Sequence, residues 1–274
     1  MPSLKSSAYE VIAAPGRVGP GQTVDLLSET ATHQLLDAAQ PDLIVNLAAL
    51  TDVDYCEGHP GEAYCVNAGL VLNLVRWVES RRSSAHLIQI STDQVYDGDG
   101  PHAERVICPT NFYGYSKSMA EEYVDRVGGT SLRTNFFGRS GRPGRASFSD
   151  WIVGAIRSHR PITVFEDVYF SPLSLPTLVR SIERVMSEPA RGIFNLGSRG
   201  GLSKADFAFR LANAAGLQTM GLTRGTLAAR PQGARRPRDM RMNSAEFSRT
   251  FGVAGVELND EIEAVGRGYR DEAS

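Results

Sequence analysis

Between Tyr9 and Asn135 short apolar runs alternate with longer segments whose apolar residues recur at helical spacing, and this alternation restricts the fold more than any other feature. The runs Tyr9 to Ala13, Asp42 to Leu47, His86 to Ile90 and Ser131 to Asn135 predict strands. The segments Thr30 to Ala39, Glu62 to Ser80 and Tyr113 to Val127 predict the helices between them. Strands separated by helices pair in parallel through right-handed crossovers, so the expected class is α/β with a doubly wound parallel sheet. Gly138 to Arg145 reads as a loop leaving that sheet. Helices at Phe148 to Ser158, Leu175 to Ser187 and Ser203 to Ala215, with short strands near Ile162 to Phe165 and Ile193 to Leu196, follow it. The expected division is a sheet domain over residues 1–140 and, over 141–274, mainly a small lobe interleaved with the last sheet strands.

Composition excludes several classes of function. With 42% hydrophobic and 22% charged residues, the 274-residue chain can bury a core and is not of disordered composition. No stretch approaches the ~20 apolar residues of a membrane span, and Met1 to Pro15 lacks a basic-then-apolar leader pattern, so the expected location is the cytoplasm. Cys56, Cys65 and Cys108 form no C-x-x-C pair and the five histidines no H-x-x-x-H pair, so no metal and no disulfide is expected. Residues 1–150 carry 12 basic and 18 acidic side chains, while residues 151–274 carry 17 and 13. The positive half suits an anionic ligand, yet it has no lysine-rich run with interleaved aromatics, so nucleic acid is not the expected partner.

Tyr113 and Lys117 stand at i and i+4 and share one helix face a turn apart. A phenol of ordinary pKa ~10 donates its proton poorly near neutrality, and an adjacent ammonium brings it towards working range. Thr92 lies just past the strand His86 to Ile90, at the carboxyl end where open α/β sheets bind ligands. Its hydroxyl could share a carbonyl oxygen with Tyr113, making a proton-delivery site for a carbonyl reduced by hydride from a nicotinamide. The alternative is a packing tyrosine beside a solvated lysine. Against it, only Lys5, Lys117 and Lys204 stand among 29 basic side chains, and lysine is the cation whose pKa is tunable.

Ser91-Thr92-Asp93-Gln94-Val95-Tyr96-Asp97-Gly98, then Pro109, then Tyr113-Gly114-Tyr115-Ser116-Lys117 resembles the extended, sugar-nucleotide-modifying branch of the short-chain dehydrogenase/reductase superfamily. Within it the S-T-D-x-V-[FY]-D-G pattern is similar to the dTDP-4-dehydrorhamnose reductase family. Asn46-Leu47-Ala48-Ala49-Leu50-Thr51-Asp52-Val53-Asp54-Tyr55-Cys56-Glu57 resembles that family's N-x-A-A-x-T-x-V-D-x-x-E, and Arg236-Pro237-Arg238-Asp239-Met240-Arg241 its R-P-x-D-x-R. The resemblance spans about residues 9–265. It implies a Rossmann-like fold, with a dinucleotide-binding domain over 1–140 and a substrate-binding lobe over 141–274. It also implies Thr92, Tyr113 and Lys117 as the catalytic set, with Tyr113 protonating the C4 oxygen of a sugar and Lys117 also holding the nicotinamide ribose. Ala48, Ala49 and Thr51 would line the cofactor, the alanines serving equally for close helix packing. Asp25 and Leu26 would lie beside the adenine, Asp25 serving equally as a cap. Asp93, Arg236 and Arg238 would meet the substrate, either arginine offering a planar fork to a diphosphate or standing as a solvated surface charge.

Two departures stand out. The family's D-Q-x-G-x-P-T appears here as Asp167-Val168-Tyr169-Phe170-Ser171-Pro172-Leu173, which loses an amide and a glycine and gains aromatic bulk. At the front, Gly16-Arg17-Val18-Gly19-Pro20-Gly21 is a poor phosphate-binding turn, since Pro20 removes a donor and only one helix fits before Asp42. Tyr9 to Ala13 therefore reads as the second strand and Leu4 to Ser7 as a helix tail, with the first strand and glycine-rich loop absent. Arg17 then sits where an acidic residue would select NAD, which points to NADP(H) over NAD(H), with binding impaired in this chain. Two functions stay open. One is NADPH-dependent reduction of the C4 keto group of a 4-keto-6-deoxy nucleotide sugar. The other is a non-catalytic sugar-nucleotide-binding or partner-binding role on the same fold, as in the regulatory β subunit of methionine adenosyltransferase. A homodimer is the commonest assembly for such a chain.

Overall fold

The computed structural model describes residues 9–14, 24–141, 146–229 and 232–271. Its helices are α1 (Glu29–Ala39), α2 (Val53–Gly58), α3 (Pro60–Tyr64), α4 (Leu70–Arg81), α5 (Phe112–Arg126), α6 (Phe148–Arg157), α7 (Leu175–Ser187), α8 (Lys204–Ala214), α9 (Ala245–Phe251) and α10 (Leu258–Asp271). Its strands are β1 (Leu43–Asn46), β2 (His86–Thr92), β3 (Thr130–Thr134), β4 (Phe136–Phe137), β5 (Ile162–Phe165), β6 (Tyr169–Phe170), β7 (Leu173–Ser174), β8 (Gly192–Leu196), β9 (Leu202–Ser203) and β10 (Leu222–Gly225). They form two compact units. The first comprises the described residues up to Thr92, with Asn111–Arg133 and Ser181–Phe194; the second comprises Asp93–Thr110, Thr134–Arg180 and the described residues from Asn195 onward.

The first unit is the expected α/β body. Its sheet runs β1-β2-β3-β8, with β1 and β2 parallel in the register Leu43↔His86 to Asn46↔Gln89. The apolar faces of α1, α4 and α5 converge on one cluster, where Leu36, Leu74, Trp77, Leu87 and Val124 are buried. Gly129 lets the chain pass tightly from α5 to β3. A Cβ there would lie 2.6 Å from the Leu87 carbonyl oxygen and 2.6 Å from a Val124 methyl.

One reading needs correction, one falls outside the described residues and one gains internal detail. Residues 9–14 carry no strand, because no ladder partner for them exists among the described residues. The Gly16 to Gly21 cluster and Arg17 lie outside the described residues. The helix read as Glu62 to Ser80 is three pieces, α3, a π-helical turn at Cys65–Gly69 and α4, preceded by α2. His59 leaves helical backbone and Pro60, which has no N–H to offer the preceding turn, restarts the helix at its first position.

The second unit is built on aromatic packing. Phe207 of α8 meets Phe137 at 4.8 Å, Phe170 at 5.2 Å and Phe148 at 5.8 Å between ring centroids. The capping box of Ser147 and Asp150 starts α6, and Ser203 caps α8. β5 pairs in parallel with β10, and β6 antiparallel with β9. Helices α9 and α10 extend past the last element read from the sequence.

Candidate functional site

Asn111 begins the site's main helix by accepting from the Gly114 N–H, at 2.9 Å, so α5 starts at Phe112 and places Tyr113 in its first turn, half-buried. Lys117, one turn further, is 2% exposed. Its Nζ donates to the Ile90 carbonyl oxygen at 2.6 Å, on β2 two residues before Thr92. Thr92 is buried as the last residue of that strand. The structure thus brings Lys117 onto the carboxyl end of β2, where Thr92 stands, with Tyr113 on the preceding turn of the same helix. Burial pushes the Lys117 ammonium down from 10.5 to about 8, and the Glu121 carboxylate opposes that fall.

A buried network, absent from the reading of the sequence, fixes this geometry. Ser91 donates to Glu121 Oε1 at 2.5 Å, and Arg133 of β3 grips Glu121 with Nε at 2.9 Å and an Nη at 2.6 Å. Ser91, Glu121 and Arg133 are each at most 5% exposed. Two signals for it were available: Glu121 follows Lys117 by one turn, and Arg133 interrupts an otherwise uncharged strand that must be buried. On the other side, Asn67 accepts from the Leu50 N–H at 2.8 Å and donates to Ser116 Oγ at 3.0 Å. The loop after β1 is thereby tied to α5.

That loop carries Ala48, Ala49 and Thr51. The Ala48 N–H donates to Asn46 Oδ1 and its methyl packs on the core, while Thr51 is exposed. Small side chains follow the carboxyl end of β1, and the buried Lys117 is tethered to the neighbouring strand β2. These features fit a nicotinamide dinucleotide. Asp25 and Leu26 do structural work. Asp25 accepts the Leu27 N–H in the turn before α1, and the Leu26 carbonyl accepts from Thr32 and Asn73.

The predicted substrate residues lie in the second unit. Asp93 is buried and accepts from Asn135 Nδ2 at 2.7 Å. Arg236 and Arg238 line a broad cleft of about 1110 Å³ with Asp97, Asp167 and Arg235. The Arg238 N–H and the Arg235 guanidinium both meet Asp97, at 2.9 and 3.3 Å. Arg236 also lines a smaller cavity of about 330 Å³, together with Asn135, Phe148, Trp151, Phe165 and Lys204, and Arg238 does not. So Asn135, the partner of Asp93, shares a cavity with Arg236, whereas Arg238 belongs to the cleft alone. The departing segment has a visible consequence here: Asp167 accepts the Leu227 N–H, Tyr169 lies under Arg241 and Phe170 under Lys204.

Among the described residues no group of three or more His, Cys, Asp or Glu could hold a metal, and no helix is long and apolar enough to cross a membrane. A family model described as the RmlD substrate binding domain matches residues 2–269. A dTDP-4-dehydrorhamnose reductase of Sinorhizobium fredii is 31% identical over 240 residues, which cover 82% of this chain and 79% of that one. The methionine adenosyltransferase 2 subunit beta of Bos taurus is 28% identical over 255 residues, 85% of this chain and 71% of that one. The crystal structure of dTDP-4-dehydrorhamnose reductase from Bacillus anthracis in complex with NADP superposes with a TM-score of 0.79 at 23% identity. It covers 89% of this chain and 86% of that one, a likeness of fold.

Proposed function

Because the chain belongs to the RmlD substrate binding domain family, we propose that it reduces the C4 keto group of a 4-keto-6-deoxy nucleotide sugar, with NADPH as reductant. The observation that carries this reading is Lys117, a buried ammonium held on the Ile90 carbonyl at the end of β2, one helical turn from Tyr113. A binding module has no need of a buried cation beside a phenol. When bound, the reduced nicotinamide supplies hydride to the carbonyl carbon. The protein's own residues handle the oxygen. Thr92 holds it by a hydroxyl hydrogen bond, and Tyr113 donates the phenolic proton to it as negative charge develops. Lys117 stabilises the resulting phenolate, and Glu121, fixed by Ser91 and Arg133, keeps Lys117 charged.

In this reading residues 1–140 are mainly the dinucleotide-binding part and 141–274 mainly the substrate lobe. Ala48, Ala49 and Thr51 lie along the cofactor, Asp93 meets the sugar and the Arg236 cleft offers forks to the diphosphate. The similarity to a dTDP-4-dehydrorhamnose reductase and to a structure carrying NADP supports the choice of substrate class and cofactor.

The test is NADPH consumption by the purified chain on dTDP-4-keto-6-deoxy sugars of both C5 configurations. With NADPH supplied in excess, to offset the weak binding expected of a chain read without a glycine-rich turn, the expected result is turnover of at least one, with the reduced sugar formed in step with NADPH loss. The likeness to methionine adenosyltransferase 2 subunit beta favours a second reading, a regulatory binding role. Tight nucleotide-sugar binding with no NADPH consumption on any substrate would select that reading and overturn the first.

A further inference from the structure

Among the described residues, Lys204 is a half-buried cation that proton delivery leaves unused. It is the first residue of α8, directly after the Ser203 cap, at the end of the helix whose exposed N–H groups repel a cation. Its Nζ lies 3.3 Å from the centroid of the Phe170 ring and 4.7 Å from that of Phe148. Phe170 is 1% exposed, so one side of the ammonium faces dry aromatic wall. Among the described residues no hydrogen-bond acceptor meets that Nζ. The cation–π contacts return part of the lost hydration, and the N–H donors on the other side of the half-buried Lys204 face the cavity without a protein acceptor among the described residues.

The other side of Lys204 opens into the 330 Å³ cavity walled by Phe148, Trp151, Phe165 and Val168 and edged by Asn135 and Arg236. Two charged groups besides Lys204 bear on this space. The Asp93 carboxylate attracts the ammonium from a distance but is itself engaged by Asn135. Arg236 adds a second positive charge at the rim. A cavity with two cations at its edges, aromatic walls and unused ammonium donors lacks one thing, a negative oxygen. A neutral hydroxyl could accept a hydrogen bond there, but it would leave the helix end and the Lys204 ammonium uncompensated.

We propose that this cavity is an anion subsite in which Lys204 binds an anionic oxygen group of the ligand, a carboxylate on its glycosyl part or a phosphate. The proposal rests on the reading of the chain as a nucleotide-sugar protein and narrows it. Lys204 becomes a specificity-determining residue that favours ligands carrying a negative charge where a deoxy sugar has none. The arginine cleft already offers forks to a diphosphate, which favours the carboxylate. The departure at Val168-Tyr169-Phe170 belongs to the same device, since Phe170 supplies the ring beneath the ammonium. Burial pushes that ammonium down to about 8, and a bound anion would raise it again.

The sequence contains only three lysines, so amine labelling resolves each one. The full chain would be treated with an acylating reagent across a pH series, and labelling of Lys5, Lys117 and Lys204 followed by peptide mass spectrometry. Four probes would be compared: inorganic phosphate, dTDP, UDP-glucose and UDP-glucuronate. A carboxylate subsite predicts that UDP-glucuronate slows Lys204 labelling by about 10- to 100-fold while UDP-glucose, the same nucleotide with a neutral sugar, changes it little. A phosphate subsite predicts protection by phosphate and dTDP as well. Protection by none of the four, or equal protection by the two UDP-sugars without any by dTDP, overturns the proposal.

Calorimetry on Lys204→Met should show the preference for UDP-glucuronate lost, and on Lys204→Arg the preference kept. An unchanged preference in Lys204→Met also overturns it. Labelling of Lys117 reports whether each variant is folded. Neither readout requires NADPH turnover, so failure of the reductase reading and failure of this subsite register separately.

Discussion

At the scale of single residues, Lys117 shows how a functional group strains the fold that holds it. Its ammonium titrates well below an ordinary lysine because it is desolvated, falling from 10.5 to about 8. In the unfolded chain the same amine keeps its proton up to the higher value. Between the two values the unfolded state therefore binds more protons, and stability rises with pH across that window. Each tenfold loss of proton affinity on folding costs about 1.36 kcal/mol while the amine stays charged. Lys117→Met is therefore expected to stabilise the chain near neutrality by about 1–2 kcal/mol, once the lost charge-assisted hydrogen bond to Ile90 is subtracted. The gain should shrink as pH climbs from about 8 towards 10.5. Urea melts of both proteins across that range check it, and a gain that grows with pH would contradict the assignment. Tyr113 and Lys117 were legible from an i, i+4 spacing. The cost of keeping Lys117 was not, because desolvation depends on neighbours far away in the chain.

At the scale of elements, β2, α5 and β3 are locked by one buried cluster. Glu121 of α5 accepts from Ser91 of β2 and from two nitrogens of Arg133 in β3. Removing one partner strands the other's charge in the core. Glu121→Ala should cost about 3–5 kcal/mol in urea unfolding, and Glu121→Leu with Arg133→Met should recover most of that loss. A single-variant cost within the ~0.5 kcal/mol of an ordinary surface change would show that the cluster is solvated. Strand and helix positions here were readable, since β2, α5 and β3 begin within a residue of the apolar runs that announced them. The cluster itself joins residues 30 and 12 positions apart, and no local period marks such a pair. Tyr9 to Ala13 is the opposite case, an apolar run with strand character and no partner among the described residues. A ladder is a property of two segments and cannot be read from one.

Across the molecule, the two units divide the chemistry. Thr92, Tyr113 and Lys117 belong to the first, and Asp93, Arg236, Arg238 and Lys204 to the second. The chain crosses between the units several times, at Thr92, Thr110, Arg133, Arg180 and Phe194. The alternation of strands and helices revealed the α/β body. The 330 Å³ cavity was hidden, because its lining comes from segments as distant as Gln94 and Met240. The proposed function stands or falls with hydride reduction on this body, Tyr113 being the proton donor. NADPH deuterated at the transferable ring position tests it, with the label followed into the sugar by mass spectrometry. One deuterium at C4 of the product is expected with the wild-type chain. The rate should fall about 10²- to 10⁴-fold in Tyr113→Phe, with NADPH binding retained. A product without deuterium, or undiminished turnover in Tyr113→Phe, would contradict this function.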